Sequence, residues 1–166
     1  AEIHGSVDFT GATLTGGLTT SSFLGATIHG SVNLSGADIS GGLSHFAFLD
    51  STIGGAFDMT NANVSSGIFN SAFQRTTIDG IFSLRGADVT AGLGDACFVE
   101  AAFGVDMDLT GANVAGGISG YAFSDATFGG SVLMTNVDVS AGITLYSFHG
   151  VSIYGSLDFN GANISR

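Results

Sequence analysis

Residues 34–58 read LSGADISGGLSHFAFLDSTIGGAFD, and residues 59–83 read MTNANVSSGIFNSAFQRTTIDGIFS. Laid one under the other they match in kind at almost every place where a large or a very small residue stands. Leu34 lies over Met59, Ile39 over Val64, Leu43 over Ile68, Phe48 over Phe73 and Ile53 over Ile78, each pair 25 residues apart. Extended along the chain, the same step gives an all-phenylalanine column: Phe23, Phe48, Phe73, Phe98, Phe123 and Phe148. A second column is Ile3, Ile28, Ile53, Ile78, Phe103, Phe128, Ile153, and a third is Phe9, Leu34, Met59, Leu84, Leu109, Met134, Phe159. Two more run from Leu14 to Ile164 and from Leu18 to Ile143. A fixed period sustained from end to end is the signature of a solenoid. It predicts one domain over residues 1–166, without a linker.

Within a repeat the large apolar residues fall 6, 5, 4, 5 and 5 apart, as from Ile28 through Leu34, Ile39, Leu43 and Phe48 to Ile53. A helical period near 3.6 does not fit, and 27 glycines argue against helix as well. Short in-out-in strands do fit. The spacing predicts strands at Val32-Asn33-Leu34, at residues 37–43, at Phe46-Ala47-Phe48 and at Ser51-Thr52-Ile53. The segment 37–43 is the longest, with Ala37, Ile39, Gly41 and Leu43 inward. The expected fold is therefore an all-β parallel β-solenoid of about 6.5 coils of 25 residues. It is four-sided, with one long face at residues 12–18 and their equivalents. Coils about 4.8 Å apart would make a rod on the order of 30 Å long.

Two columns carry turn chemistry. Gly11, Gly36, Asn61, Gly86, Gly111, Asn136 and Gly161 are the residue types that most easily take positive φ. Gly5, Gly30, Gly55, Gly80, Gly130 and Gly155 mark another corner, with Val105 the exception.

The pieces GADIS (36–40), NANVS (61–65), GADVT (86–90), GANVA (111–115) and GANIS (161–165) resemble the A(D/N)LXX unit of pentapeptide-repeat proteins. The likeness covers about a fifth of each repeat. It implies a right-handed, four-sided β-helix, and it supports the fold rather than a function. That family generally uses a shorter coil, of four such units, than the 25-residue coil here.

Composition narrows the partners. Fourteen acids stand against three arginines and no lysine, a formal charge of −11. Phosphate binding needs a basic stripe, so nucleic acid is not expected as a ligand. Anionic membranes are disfavoured for the same reason. No apolar run approaches the length of a membrane span, and the opening AEIHGSV has no basic segment followed by an apolar one, so any signal peptide is expected to have been removed or never to have existed. The composition leans towards an extracellular or cell-surface setting. Cys97 is the sole cysteine, which excludes an intrachain disulfide.

The acids are spread. Asp8, Asn33, Asp58, Ser83, Asp108, Leu133, Asp158 form one column, and Thr13, Asp38, Asn63, Asp88, Asn113, Asp138, Asn163 another. Asp recurs in alternate coils of both, out of phase, so the effective unit approaches a 50-residue double coil. Stacked like charges repel at ladder spacing, and the alternation limits that. In Asp50, Arg75, Glu100, Asp125 the arginine falls between two acids.

No catalytic, cofactor or metal site is predicted. His4 and His29 share a corner in adjacent coils and can stack, but no third ligand type recurs beside them. His45 and His149 stand alone. Cys97 falls in a column of small residues expected to face outward (Ser22, Ala47, Ala72, Cys97, Ala122, Ser147), with no base to activate it. A regular rod offers no cleft, so a non-enzyme is expected.

The surface offers one candidate interaction face. It is the glycine column Gly17, Gly42, Gly67, Gly92, Gly117, Gly142 and the small polar column Thr15, Ser40, Ser65, Thr90, Ser140 beside it. Flat small-residue columns allow close approach by another surface. A Thr27, Thr52, Thr77, Ala102, Thr127, Ser152 ladder lies on another side. The repeat is in phase from Ile3 to Ile164 with no atypical capping coil, so either the chain is cut from a longer solenoid or its open ends are expected to pair with other copies. These features favour a self-associating structural protein whose partner is a further copy of itself, with another protein as a possible partner. One alternative is ice binding through a flat Ser/Thr/Asn face. The other, implied by the pentapeptide-repeat resemblance, is an acidic DNA mimic that binds a topoisomerase.

Overall fold

A computed structural model of the chain describes residues 1–144 and 146–165. It is all-β, with no helix among the described residues, and its strands stack in coils 25 residues long. One seven-stranded sheet contains Glu2–Ile3, Thr27–Ile28, Thr52–Ile53, Thr77–Ile78, Ala102–Phe103, Thr127–Phe128 and Ser152–Ile153, each strand beside the next coil's equivalent. The second runs through Val7–Asp8, Val32–Asn33, Phe57–Asp58, Phe82–Ser83, Met107–Asp108, Val132–Leu133 and Leu157–Asp158. Every pairing is parallel and in register, as Thr52↔Thr77 and Ile53↔Ile78 illustrate. Two further ladders consist of single-residue bridges. One links Thr13, Asp38, Asn63, Asp88, Asn113 and Asp138, ending in the pair Asp138–Val139 with Asn163–Ile164; the other links Leu18, Leu43, Ile68, Leu93, Ile118 and Ile143.

The strands are two residues long because corners follow at once. Residues 37–43, expected as one long strand, are two bridges separated by a turn. The Gly42 N–H donates to the Ile39 carbonyl at 2.8 Å, and Gly42 takes φ +79°. The same turn recurs at Val64–Gly67, Val89–Gly92 and Val114–Gly117. The long face is thus folded into two short ones. Phe46-Ala47-Phe48 also departs from expectation: it lies in a turn region rather than a strand. His45 (φ 51°) and Phe46 (φ 66°) are both left-handed, as are Asn70–Ser71 and Asp95–Ala96 one and two coils on. Two successive left-handed residues break the in-out alternation. Phe46 is left 45% exposed, while Ala47, Ala72, Cys97 and Ala122 point into the core with no exposure. The column expected to face outward therefore faces inward from Ala47 to Ser147.

The corner at Gly11, Gly36, Asn61, Gly86, Gly111, Asn136 and Gly161 is as expected, with φ between 54° and 68° throughout. The second glycine corner is small for a different reason. At Gly30, Gly55, Gly80 and Gly155 the backbone of the preceding coil lies so close that an added Cβ would meet it at 2.6–2.9 Å.

The core is a filled tube. Phe23, Phe48, Phe73, Phe98, Phe123 and Phe148 stack face to face, with centroids 4.9–5.2 Å apart and rings within 20° of parallel. Phe57 and Phe82 meet this stack edge-on, at 86–89°. Fully burying a side chain of this size contributes roughly 1.5–3 kcal/mol, and aromatic pairing of this geometry adds to it. Polar groups in the core are satisfied: Ser51 and Thr76 hydroxyls donate to the carbonyls of Phe23 (2.5 Å) and Phe48 (2.6 Å). No buried side-chain nitrogen or oxygen among the described residues lacks a partner.

Candidate functional site

The glycine column does not form a flat outer face. Gly42, Gly67, Gly92, Gly117 and Gly142 are buried, with φ from +79° to +98°. A Cβ on Gly42, Gly67, Gly92 or Gly117 would stand 2.5–2.7 Å from the carbonyl oxygen of the glycine one coil further on. The close approach of their own rod's backbone requires glycine at these positions. Gly17, in the first coil, is half-buried with φ +77°. The neighbouring column lies on the same corner: Thr15 and Thr90 are exposed, while Ser40, Ser65 and Ser140 are half-buried. Positions 13 and 15 therefore do not share a strand, as a regular two-ladder face would need. Thr13 is on a bridge and Thr15 is in the following turn.

The Asp/Asn columns are corner caps. Asp8, Asp58, Asp108 and Asp158 each accept the N–H two residues on, at 2.8–2.9 Å. These Asx turns satisfy the corner backbone. They also hold the Asp8 carboxyl below the usual range, through the Thr10 hydroxyl and N–H. In the second column the alternation has a bonding reason. The amides of Asn63, Asn113 and Asn163 donate to the carboxylates of Asp38, Asp88 and Asp138 one coil below, at 3.0–3.2 Å. Arg75 lies between its acids as expected, and its fork holds Asp50 at 2.6 and 3.0 Å.

The Cys97 thiol is fully buried and donates to the Ala122 carbonyl at 3.7 Å. Burial pushes its pKa well above the ordinary thiol value. A thiol held protonated is a poor nucleophile.

Two exposed side-chain clusters remain. Tyr121 and Tyr146 stack at 5.3 Å, with His149 edge-on to Tyr146 at 5.9 Å. At the first two coils, His4 and His29 stack at 5.2 Å and 11°. Glu2 joins them: its Oε1 lies 3.0 Å from His29 Nε2 and 3.9 Å from His4 Nδ1. Among the described residues these three are the group whose ligand atoms converge, all within 4.8 Å of one another. The sequence points to the two histidines, and Glu2 escapes a reading by columns. Its signal is there all the same, since Glu2 and His4 flank inward Ile3 and so share one face, and the 25-residue step sets His29 over His4.

No helix of the described residues is long and apolar enough to cross a membrane. No known protein family, no characterised protein and no solved structure matches the chain.

Proposed function

We propose that the protein is a structural, self-associating β-solenoid whose rods stack coil on coil with further copies, head to tail. The observation that carries this reading is the uniform 25-residue register of every ladder. Each coil presents to its neighbour the same pattern of backbone groups and apolar core positions that it receives from the other side. The upper face of one rod is therefore complementary to the lower face of another. The apolar columns that such a contact would continue run in register from Ile3, Val7, Phe9, Leu14 and Phe23 up to Leu157 and Ile164. Contacts of this heterologous kind give filaments when they do not close. The role is non-catalytic.

Sedimentation and electron microscopy of the purified chain across a wide concentration range test it. Concentration-dependent linear assemblies are expected, and more readily at high salt, which screens the charge of −11. Leu157→Lys with Ile164→Lys should return the protein to monomers. A wild-type chain that stays monomeric at every concentration and salt overturns the proposal.

A further inference from the structure

We infer that Glu2, His4 and His29 form a binding site for a divalent transition-metal ion of the Zn²⁺, Ni²⁺ or Cu²⁺ class. The donor set of two imidazoles and a carboxylate suits these ions, whereas Ca²⁺ and Mg²⁺ take oxygen ligands. The geometry is close to what such an ion needs. Metal–ligand bonds near 2.0–2.2 Å imply tetrahedral ligand separations of roughly 3.3–3.6 Å. The two distances to Glu2 Oε1, 3.0 and 3.9 Å, bracket that range, and the three donor atoms lie within 4.8 Å of one another, so modest side-chain rotation would close the set. The backbone that carries the donors is fixed. Glu2 pairs with Thr27 and Ile3 with Ile28 in the first sheet, and the His29 N–H donates to the Ile3 carbonyl at 2.9 Å. The side chains are free to close, being 50–83% exposed.

Electrostatics favour the cation. Fourteen acids face three arginines, and no lysine competes for Glu2. Three protein donors leave one tetrahedral position for water or an external ligand. The other explanation of the cluster is a surface hydrogen bond between Glu2 and His29 beside a stacked imidazole. The two differ in what a metal ion does to His4, which that hydrogen bond does not include.

The experiment is calorimetric titration of the untagged, chelator-treated full chain with Zn²⁺. One saturable ion per chain is expected. His4→Ala, His29→Ala and Glu2→Gln should each weaken binding at least tenfold, while His45→Ala and His149→Ala leave it unchanged. A second measurement needs no variant: substoichiometric Ni²⁺ should broaden the imidazole NMR signals of His4 and His29 together, before those of His45 and His149. Absence of saturable binding overturns the inference. So does binding that survives the His4→Ala, His29→Ala double change, or broadening equal at all four histidines. Because the site lies on the rod's side, the Leu157→Lys, Ile164→Lys variant should bind the ion as wild type does. Failure of self-association would leave this result standing.

Discussion

The ring of Phe103 meets that of Phe82 at 75°, with centroids 5.6 Å apart. At that contact the second aromatic of the core crosses from one sheet to the other. In the coils below it, the second sheet supplies phenylalanine (Phe57, Phe82) and the first supplies isoleucine (Ile53, Ile78). Above it, the first sheet supplies phenylalanine (Phe103, Phe128) and the second supplies Met107 and Val132. Each of these four coils keeps one phenylalanine and one smaller residue in these two places, so this stretch of the tube stays filled. All eight side chains are buried, at 2% exposure or less.

This exchange predicts compensation. Phe103→Ile alone should cost about 1–3 kcal/mol, from lost burial and the void it leaves. Met107→Phe alone should cost a similar amount by overpacking. Together they shift the crossing up one coil, with Phe at 107 over Phe82 and Ile at 103 over Ile78. The double variant should recover at least half of the summed loss. Thermal unfolding followed by circular dichroism checks it; simple additivity would show that the two positions do not share volume.

Much of this is legible in the sequence. The period, the phenylalanine stack and the left-handed Gly/Asn corner all follow from residue type at a 25-residue step. The departure at residues 37–43 has a physical cause. A glycine at position 42 suits a strand interior next to a neighbouring backbone, and it equally suits a left-handed turn. Only the Gly42 N–H bond to Ile39 decides between them. The inverted column at Ala47 and Cys97 has a related cause: two left-handed residues in a row, such as His45 and Phe46, reset which side faces in. The first of these columns, with His45, Asn70, Asp95 and Gly120, tolerates positive φ, but Phe46, Ser71 and Ala96 beside it give no warning of it. Glu2 is hard to see for another reason. It recurs nowhere in its column, and columns are what a fixed period makes visible.

The glycines separate two costs that are often confounded. Gly111 has φ +68° but nothing within 4 Å of an added Cβ, so Gly111→Ala should cost only the left-handed backbone penalty, about 1–2 kcal/mol. Gly111→Asn should cost less, since Asn61 and Asn136 already occupy that column. Gly92 adds a collision with the Gly117 carbonyl at 2.5 Å, so Gly92→Ala must separate two coils. It should abolish cooperative unfolding near room temperature. Similar melting of the two alanine variants would contradict the close stacking.

The buried thiol gives a chemical test. Cys97 should resist a disulfide-exchange reagent in the native protein and react fully in denaturant, because the thiolate is disfavoured in the core. Cys97→Ala reproduces the residue already present at Ala72 and Ala122 and should lower stability by less than about 1.5 kcal/mol. Rapid labelling of the folded chain would place this column on the outside.

Asp50 should titrate below the ordinary carboxylate range, because the Arg75 guanidinium donates to both its oxygens. A depressed folded pKa means that its contribution is present above the unfolded value near ~3.9 and is lost as pH falls through the folded value. Carboxyl-carbon NMR should show the low titration in wild type and a return to the usual range in Arg75→Gln. An unchanged curve would mean that the pair does not form in solution.

The Asn–Asp ladder carries the last prediction. Asn113 donates to Asp88 below at 3.2 Å and stands one coil under Asp138. Asn113→Asp removes the donor and places three carboxylates in consecutive coils. Loss of the hydrogen bond and the new repulsion should together cost about 1–2 kcal/mol at neutral pH and low salt. Repulsion favours the protonated form of the new acid in the folded state, so the deficit belongs to pH above the carboxylate range and shrinks as pH falls through it. Added salt should shrink it as well. Asn113→Ser removes the amide without adding charge, so its smaller deficit should not change with salt. Equal salt responses in the two variants would show that charge spacing is not what sets the alternate-coil pattern.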